Sequence, residues 1–568
     1  MPRIPSPARF SRRGLLETAL ECVRSSLGRK RRLADARPPL RFARGFPSRC
    51  SRRARVAILA WIGSSIALTP IGFAQQNPSD LGDPSRPLFS GVQERKPSKA
   101  FAPQNLPDLG DPSQALLSGA QERKLGESVM REVRAGGYLN DPEVNGYLNE
   151  LGNRLVTAIP GTSFDFEFFA MADPSINAFA LPGGFVGVNA GLILLTQTES
   201  ELASVLAHEI THVTQHAFAR SLGNQRDAML ATLGALAAAV LASRSGSSSS
   251  GDMTQAAIAS AQGLALQSQI TFTRENEEEA DRIGFQRVVA AGFDPSAMAT
   301  FMERLQRSTK FVEGNAPNYL RDHPVTYQRI AEAQARAESV PFRQVPDSLD
   351  FQMVRALLKS YEGSPRDAVL FFRDAIAERK YNNEIAAHYG LVASLLRAQD
   401  FKAAQAELKA LEKTAPSHPM IEAIAGQVLV QSGQLKAAIA RYEAALVSYP
   451  GKMQLVYDYP EALLKDHQPA KAAAFVDDEL QRFPSDGPLH QIAAKAYAAL
   501  GKQLLQHQHQ AEFYAWLGNL KAAVIQLELA IKAGDGDFYQ LSAVESRLRA
   551  VRQELADQQK AANSRRAG

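Results

Sequence analysis

Two histidines and a glutamate define the most specific chemistry in this chain of 568 residues, where they stand together as His208-Glu209-Ile210-Thr211-His212. Helical residues four apart differ by about 40° around the axis, so both imidazoles face one way and can clamp one cation. Glu209 lies beside the first imidazole, where a carboxylate can act as general base for a water that zinc activates. Leu202, Val205, Leu206, Ile210 and Val213 make the rest of that helix apolar, which sets the three polar groups in a hydrophobic wall. Buried polar groups need a partner, and a metal supplies one.

A catalytic zinc site uses three protein ligands and keeps a fourth position for water. His216 follows His212 by four residues and could reach the metal only if the helix bent. The glycine turn that precedes the third histidine of metzincins is absent. A better source is Glu275-Asn276-Glu277-Glu278-Glu279-Ala280-Asp281-Arg282-Ile283-Gly284. Spacing alone does not choose among its four glutamates. If Glu277 is the ligand, Asp281 stands one turn away on the same face and can accept the free N–H of a ligating histidine. Ala280 and Gly284 are small enough to let this helix approach the first. Glu275 and Glu278 suit a solvated acidic face.

The elements that must hold these groups are legible around them. A helical pattern runs from about Glu199 to Arg220, and 141–158 reads as an amphipathic helix opened by Asp141-Pro142. A further helical stretch covers Lys124 to Val133. Phe164 to Phe169 alternates Phe with acidic residues and reads as a strand. Ile176 to Ala180 and Phe185 to Val188 read as two more, joined by the turn Pro182-Gly183-Gly184. Asn177, Ala178, Phe179 and Ala180 form the strand expected to hold an extended substrate by edge pairing, a mode that reads backbone and so selects unfolded chains. Residues 229–242 are apolar almost throughout, 244–252 form a Ser/Gly loop, and 254–267 are again small and apolar. Fourteen residues are too few to span a bilayer, which leaves a packed helical hairpin or a mobile lid.

From about residue 350 the texture changes to Ala- and Leu-rich helical hairpins. Pro416, Pro450 and Pro484 recur every 34 residues, with Ala404, Ala438 and Ala472 standing 12 before each. Leu435-Lys436-Ala437-Ala438 returns as Leu520-Lys521-Ala522-Ala523. A small residue where two helices cross and a proline closing each hairpin make the tetratricopeptide pattern, whose product is a curved solenoid with a concave surface for protein ligands.

The composition is that of a globular protein, 45% hydrophobic and 22% charged, which excludes wholesale disorder, collagen and a polytopic membrane protein. The sequence pI near 9.0 invites nucleic acid or anionic lipid until the charge is located. Residues 1–55 hold 16 Lys and Arg against 3 Asp and Glu, a net +13, so a chain of net +5 is about −8 beyond them. No nucleic-acid partner is therefore expected. Arg52, Arg53 and Arg55, the apolar run Val56 to Leu68, and Gly72-Phe73-Ala74 have the shape of a signal peptide cleaved near Ala74. Residues 1–50 are expected to be an over-extended start. Both cysteines, Cys22 and Cys50, fall before the cleavage point, so no thiolate ligand serves the exported chain. In the linker that follows, Leu81 through Lys96 reappears as Leu109 through Lys124 with 12 of 16 positions identical, a duplication that carries no chemistry.

The His208–His212 motif, Glu277-x-x-Ala280-Asp281-x-x-Gly284 and the Asn177-Ala178-Phe179-Ala180 strand with its Gly183-Gly184 turn together resemble the CAAX-prenyl-protease and HtpX-like gluzincin peptidases. Gly292-Phe293-Asp294-Pro295 and His323-Pro324, followed by Arg329 and Ile330, narrow the likeness. With its leader and repeat tail, the chain from about Leu106 to Ala550 is similar to periplasmic members of that family engaged in outer-membrane protein quality control. The resemblance implies one zinc ion per chain held by His208, His212 and Glu277, Glu209 as base, and His323 able to take the fourth position in a self-inhibited state. Arg329 would neighbour the site. It further implies unfolded or misassembled outer-membrane proteins as substrates, and docking on the outer-membrane assembly machinery through the repeats, with room for peripheral membrane association. A histidine that relatives often carry five residues after the second ligand is Ala217 here, with His216 one residue early. A chaperone or docking scaffold with a mostly latent site is the alternative. The expected architecture is α+β and mostly α: leader 1–74, linker 75–120, a metallopeptidase domain with a small β-sheet over 121–340, and a tetratricopeptide α-solenoid over 350–550.

Overall fold

A computed structural model describes residues 118–159, 165–216, 220, 274–309, 319–320 and 323–567. All of them belong to one compact unit, Asp108–Gly568. The leader and signal peptide, the linker up to residue 117 and the apolar segment 229–267 lie outside the described residues.

Helix α1 (Gly119–Gly136) opens with a capping box between Ser118 and Gln121, which satisfies two of the amide donors left free at a helix start. Helix α2 (Pro142–Thr157) starts where the pattern predicts, with Asp141 accepting from the amides of Glu143 and Val144. Strands β1 (Glu167–Met171), β2 (Ala178–Leu181) and β3 (Phe185–Asn189) form one sheet in the order β1-β3-β2. β1 runs parallel to β3, with Phe168 opposite Val186. β2 runs antiparallel to β3, with Phe179 opposite Gly187. The turn between β2 and β3 needs its glycines: Gly183 and Gly184 have φ of 78° and 95°, and a Cβ on Gly184 would stand 2.4 Å from the Asp165 carbonyl oxygen.

Short helix α3 (Ala190–Leu195) leads into α4 (Glu199–Thr214), which Thr198 caps. Fourteen of the sixteen α4 residues are buried, as expected of a helix apolar nearly all round. It packs on α2, on β2 and on helix α6 (Ala297–Thr309). The helical pattern read as far as Arg220 stops earlier, at Thr214. His216 takes a φ of 49°, a left-handed value that ends a helix. Residues 274–290 are helical and form α5. Gly284 on this helix lies where a Cβ would come within 3.2 Å of the His208 amide nitrogen, the close approach its small residues foretell. Helix α7 (Tyr327–Glu338) follows.

Twelve further helices, from Leu349–Tyr361 to Phe538–Ala567, make a hairpin array among the described residues. Ala404, Ala438 and Ala472 are fully buried, and a Cβ on Gly426 would fall 2.2 Å from the Tyr442 ring, so the small residues do mark close helix crossings. The fold is thus mostly helical with a small sheet and a repeat array. One apolar cluster runs from Val144 in α2 to Val428 in the array, so the sheet-bearing part and the first hairpins share a core.

Candidate active site

Helix α4 brings His208 and His212 onto one face with their Nε2 atoms 3.0 Å apart. Helix α5 supplies Glu277, whose carboxylate oxygens lie 3.5 Å from His208 Nε2 and 3.4 Å from His212 Nε2. His323 closes the group, its Nδ1 3.2 Å from His208 Nε2 and 2.9 Å from Glu277 Oε1. Each of the four offers one ligand-type atom, all within 4.8 Å of one another, and no other such group occurs among the described residues.

The donor set fits a metal. Three ring nitrogens and a carboxylate converge on one point, which neutral imidazoles do not choose when each needs its own donor or acceptor. Tetrahedral coordination with bonds of about 2.0–2.1 Å puts ligand atoms roughly 3.3 Å apart, close to the separations seen here. Glu209, on the same helix and 1% exposed, has Oε1 without a hydrogen-bond partner and 3.5 Å from His323 Nε2. The electrostatics also favour a cation. Burial pulls the His208 imidazole down, yet hydrogen bonds to Asp281 and Glu277 outweigh it and raise the group to about 10. His323 is raised against its burial by the charges of Glu277 and Glu209. His212, facing the other two imidazoles, is lowered by burial. The Glu277 carboxyl lies well below its usual range despite burial, because His323 and the other two histidines surround it. A field that holds protons on buried imidazoles holds a metal ion for the same reason.

Asp281 and Arg329 stand behind these groups. Asp281 Oδ1 is 3.0 Å from His208 Nδ1, which turns Nε2 toward the cluster. Arg329 grips Asp281 with a two-pronged fork, Nε to Oδ2 at 2.7 Å and Nη2 to Oδ1 at 2.8 Å. Its Nη1 donates to the Pro324 carbonyl at 2.7 Å and sits 2.8 Å from Glu277 Oε2, a charge contact outside hydrogen-bond alignment. Both residues therefore orient the cluster without entering it.

Asn177 immediately precedes edge strand β2. It is fully buried, with neither its Nδ2 nor its Oδ1 partnered. Ala178 is buried, while Phe179 and Ala180 are half-buried. His216, by contrast, does not join the cluster. Its Nδ1 faces the Glu122 carboxylate of α1 at 3.3 Å.

Sequence reasoning missed Tyr319. Its ring packs on His323 at 4.8 Å between centroids, its carbonyl accepts from the His323 amide at 2.7 Å, and its own amide donates to Ile176 at 3.2 Å. The only local signal was its place four residues before His323.

Comparison with known proteins agrees with this geometry. The model of peptidase family M48 matches residues 142–337. The beta-barrel assembly-enhancing protease of Escherichia coli K12 is 32% identical over 409 residues, covering 72% of this chain and 82% of that protein. A putative beta-barrel assembly-enhancing protease of Vibrio cholerae is 37% identical over 304 residues, 53% of this chain and 62% of that one. The mitochondrial metalloendopeptidase OMA1 of Schizosaccharomyces pombe is 31% identical over 199 residues, 35% of this chain and 54% of its own. The helix pair that gathers His208, His212 and Glu277 falls within the matched span, and the chain belongs to peptidase family M48, among the metalloproteases related to the beta-barrel assembly-enhancing proteases.

Proposed function

We propose that the chain is a zinc-dependent periplasmic endopeptidase, latched at rest by His323, that degrades unfolded or misassembled outer-membrane proteins. The observation that carries the reading is the convergence of His208, His212 and Glu277 beside Glu209, whose Oε1 makes no hydrogen bond and lies 3.5 Å from His323 Nε2. The outer-membrane role rests on the names of its long relatives. Periplasmic location rests on the leader. Among the described residues no helix is long and apolar enough to cross a membrane.

His208, His212 and Glu277 would hold the zinc, which supplies Lewis-acid activation of a water and of the scissile carbonyl. Glu209 takes the proton of the attacking water and returns it to the leaving amine. Asp281 keeps His208 in the tautomer that aims Nε2 at the cluster. The open edge of β2 pairs with extended substrate, and Asn177 offers buried donor and acceptor groups at its start. His323 stands against Glu209 and the ligands, so it has to leave before water and substrate enter. That same placement favours the second reading, in which the repeats act as a scaffold for outer-membrane assembly and the peptidase stays mostly latent.

Purified full chain should carry about one zinc, and chelation should abolish cleavage of unfolded casein. Glu209→Gln should keep the metal and lose roughly 10²–10⁴-fold in turnover. Cleavage that survives metal removal sinks the peptidase reading. A Glu209→Gln strain with normal outer-membrane protein assembly favours the scaffold.

A further inference from the structure

The catalytic helix α4 is fastened at its two ends by different means. At the amino end, Asp347 accepts from the Glu199 amide at 2.7 Å, while Glu199 accepts from the amide and hydroxyl of Ser348 at 3.1 and 2.7 Å and from the Tyr147 hydroxyl at 2.9 Å. Two helix starts, α4 and Leu349–Tyr361, thereby cap each other. The carboxyl end carries His212 in its last turn. Beyond it, His216 takes the left-handed backbone that also follows other helices of this chain at Arg379, Gln399 and His467. What faces it is Glu122, 3% exposed, with carboxylate oxygens 3.3 and 3.4 Å from His216 Nδ1.

Glu122 belongs to α1, and α1 is itself held on two sides. Towards the sheet, Arg123 donates to the carbonyls of Asp165 and Gly183 at 2.7 and 2.9 Å, and a Cβ on Gly126 would lie 2.0 Å from the Pro182 oxygen. Met130 and Val133 pack with Phe169, Leu181 and Phe185. Towards the end of the array, Arg131 pairs with Glu554 at 2.9 Å, and the Arg134 guanidinium lies 4.9 Å from the Trp516 ring centre. A continuous line of contacts therefore runs from the last array helices through α1 to the end of the catalytic helix.

We propose that Glu122 is a positioning residue for the peptidase site: its contact with His216 fixes the carboxyl end of α4 and thus His212, and the last array helices set through Arg131 and Arg134 how firmly that end is held. The catalytic helix is then strung between the first and last parts of the array, and whatever changes the array's curvature changes the register of a metal ligand. This inference rests on the peptidase reading, but part of its test needs no catalysis.

The test uses the full chain. Glu122→Ala should weaken zinc affinity by about tenfold, no more than the lower end of what a direct partner of a metal ligand is worth, because Glu122 acts on His212 only through His216. It should lower kcat by a similar factor, with KM for unfolded casein within about twofold. In the metal-free chain, amide exchange over residues 210–216 should accelerate by at least about fivefold, while exchange over 199–206 stays unchanged. Glu122→Gln, which keeps an acceptor for His216, should recover most of each loss. At a distance, Arg131→Glu should shift zinc affinity and exchange in the same direction by about threefold, and adding Glu554→Arg should restore both. Zinc affinity, exchange and kcat all within twofold of the parent in Glu122→Ala would overturn the proposal. If Glu122→Ala does not fold, the Arg131→Glu and Glu554→Arg pair decides: an Arg131→Glu effect that the second change does not restore overturns it equally. A parent chain that binds zinc but never cleaves removes the peptidase reading and leaves the affinity and exchange outcomes to judge the strut.

Discussion

Arg329 is the residue whose removal should hurt most, and the reason is electrostatic. Its guanidinium is 5% exposed and holds both oxygens of Asp281, which is 1% exposed. Arg329→Met keeps much of the aliphatic bulk and deletes the charge. Asp281 would then face a single donor, His208 Nδ1. Breaking a buried ion pair from one side costs about 3–5 kcal/mol, because the survivor stays buried and uncompensated. The lost hydrogen bond to Pro324 adds about 1 kcal/mol. Against a total of about 5–15 kcal/mol this is a large fraction, and it should lower the urea midpoint of the metal-free chain by about 1–2 M. The pH dependence fixes the sign. Burial pushes the Asp281 carboxyl up, but hydrogen bonds from His208 and Arg329 more than reverse it, leaving it below its ordinary value. The stability it contributes is present above the unfolded carboxyl's pKa of about 3.8 and is lost as pH falls through the lower folded value. Without Arg329 that contribution shrinks, so the gap between parent and variant should be widest near neutrality and narrow below about pH 4. In an Asp281→Asn background, Arg329→Met should cost at least about 1 kcal/mol less than it does alone. Additive costs and a gap that does not vary with pH would refute the reasoning. Arg329→Lys, which keeps the charge but cannot make the fork, should cost less than Arg329→Met while still falling below the parent.

Two further expectations follow from the same contacts. His323→Ala should retain one zinc per chain and cleave unfolded casein at least about tenfold faster, corresponding to a latched state favoured by about 1.4 kcal/mol or more; turnover at or below that of the parent would count against the latch. Asp458 lies half-buried in the array, accepting from Gln427 and Tyr442, and burial raises its carboxyl to about 6. A folded value above the unfolded one withdraws stability as pH rises from about 4 through 6, so Asp458→Asn should stabilise the chain at pH 8 by up to about 3 kcal/mol before solvent screening and leave it unchanged at pH 4, as measured by urea midpoints at both.

What the sequence made legible was what local spacing can encode. His208 and His212 are neighbours because they are four apart on one helix, and Ala404, Ala438 and Ala472 announce helix crossings because the pattern repeats. Glu277 could be singled out only through family likeness, since four glutamates crowd its segment and spacing does not rank them. The end of α4 was misplaced for a physical reason. No glycine or proline marks it, and the left-handed His216 faces Glu122, 94 residues away in sequence. The fork of Arg329 on Asp281 spans 48 residues, and the mutual capping of α4 with the first array helix spans about 150. Such contacts have no local trace. The change of texture near residue 350 is a real change of pattern, but packing ignores it, because Leu192 and Leu206 on one side and Phe351 and Leu395 on the other lie in one cluster.

The strength of the latch can be bounded from its contacts. Apart from the cluster itself, His323 is held by its amide bond to the Tyr319 carbonyl and by the Tyr319 ring, and Tyr319 is tied to Ile176 by one backbone hydrogen bond. Each hydrogen bond contributes about 1 kcal/mol net, and the ring contact about 0.5–1.5 kcal/mol. Arg329 does not enter this sum, because its grip on the Pro324 carbonyl and on Asp281 can persist while the imidazole turns away. The backbone hydrogen bonds can persist in the same way, so counting only the ring contact gives about 1 kcal/mol, a ratio of roughly five to one between latched and open states. The contact of His323 Nδ1 with Glu277 at 2.9 Å can only raise that figure. Tyr319→Ala should therefore release part of the inhibition while leaving every ligand-type side chain in place, with a gain in turnover smaller than that of His323→Ala. If Tyr319→Ala leaves turnover unchanged while His323→Ala raises it, the latch is held by the cluster alone and the ring is mere packing.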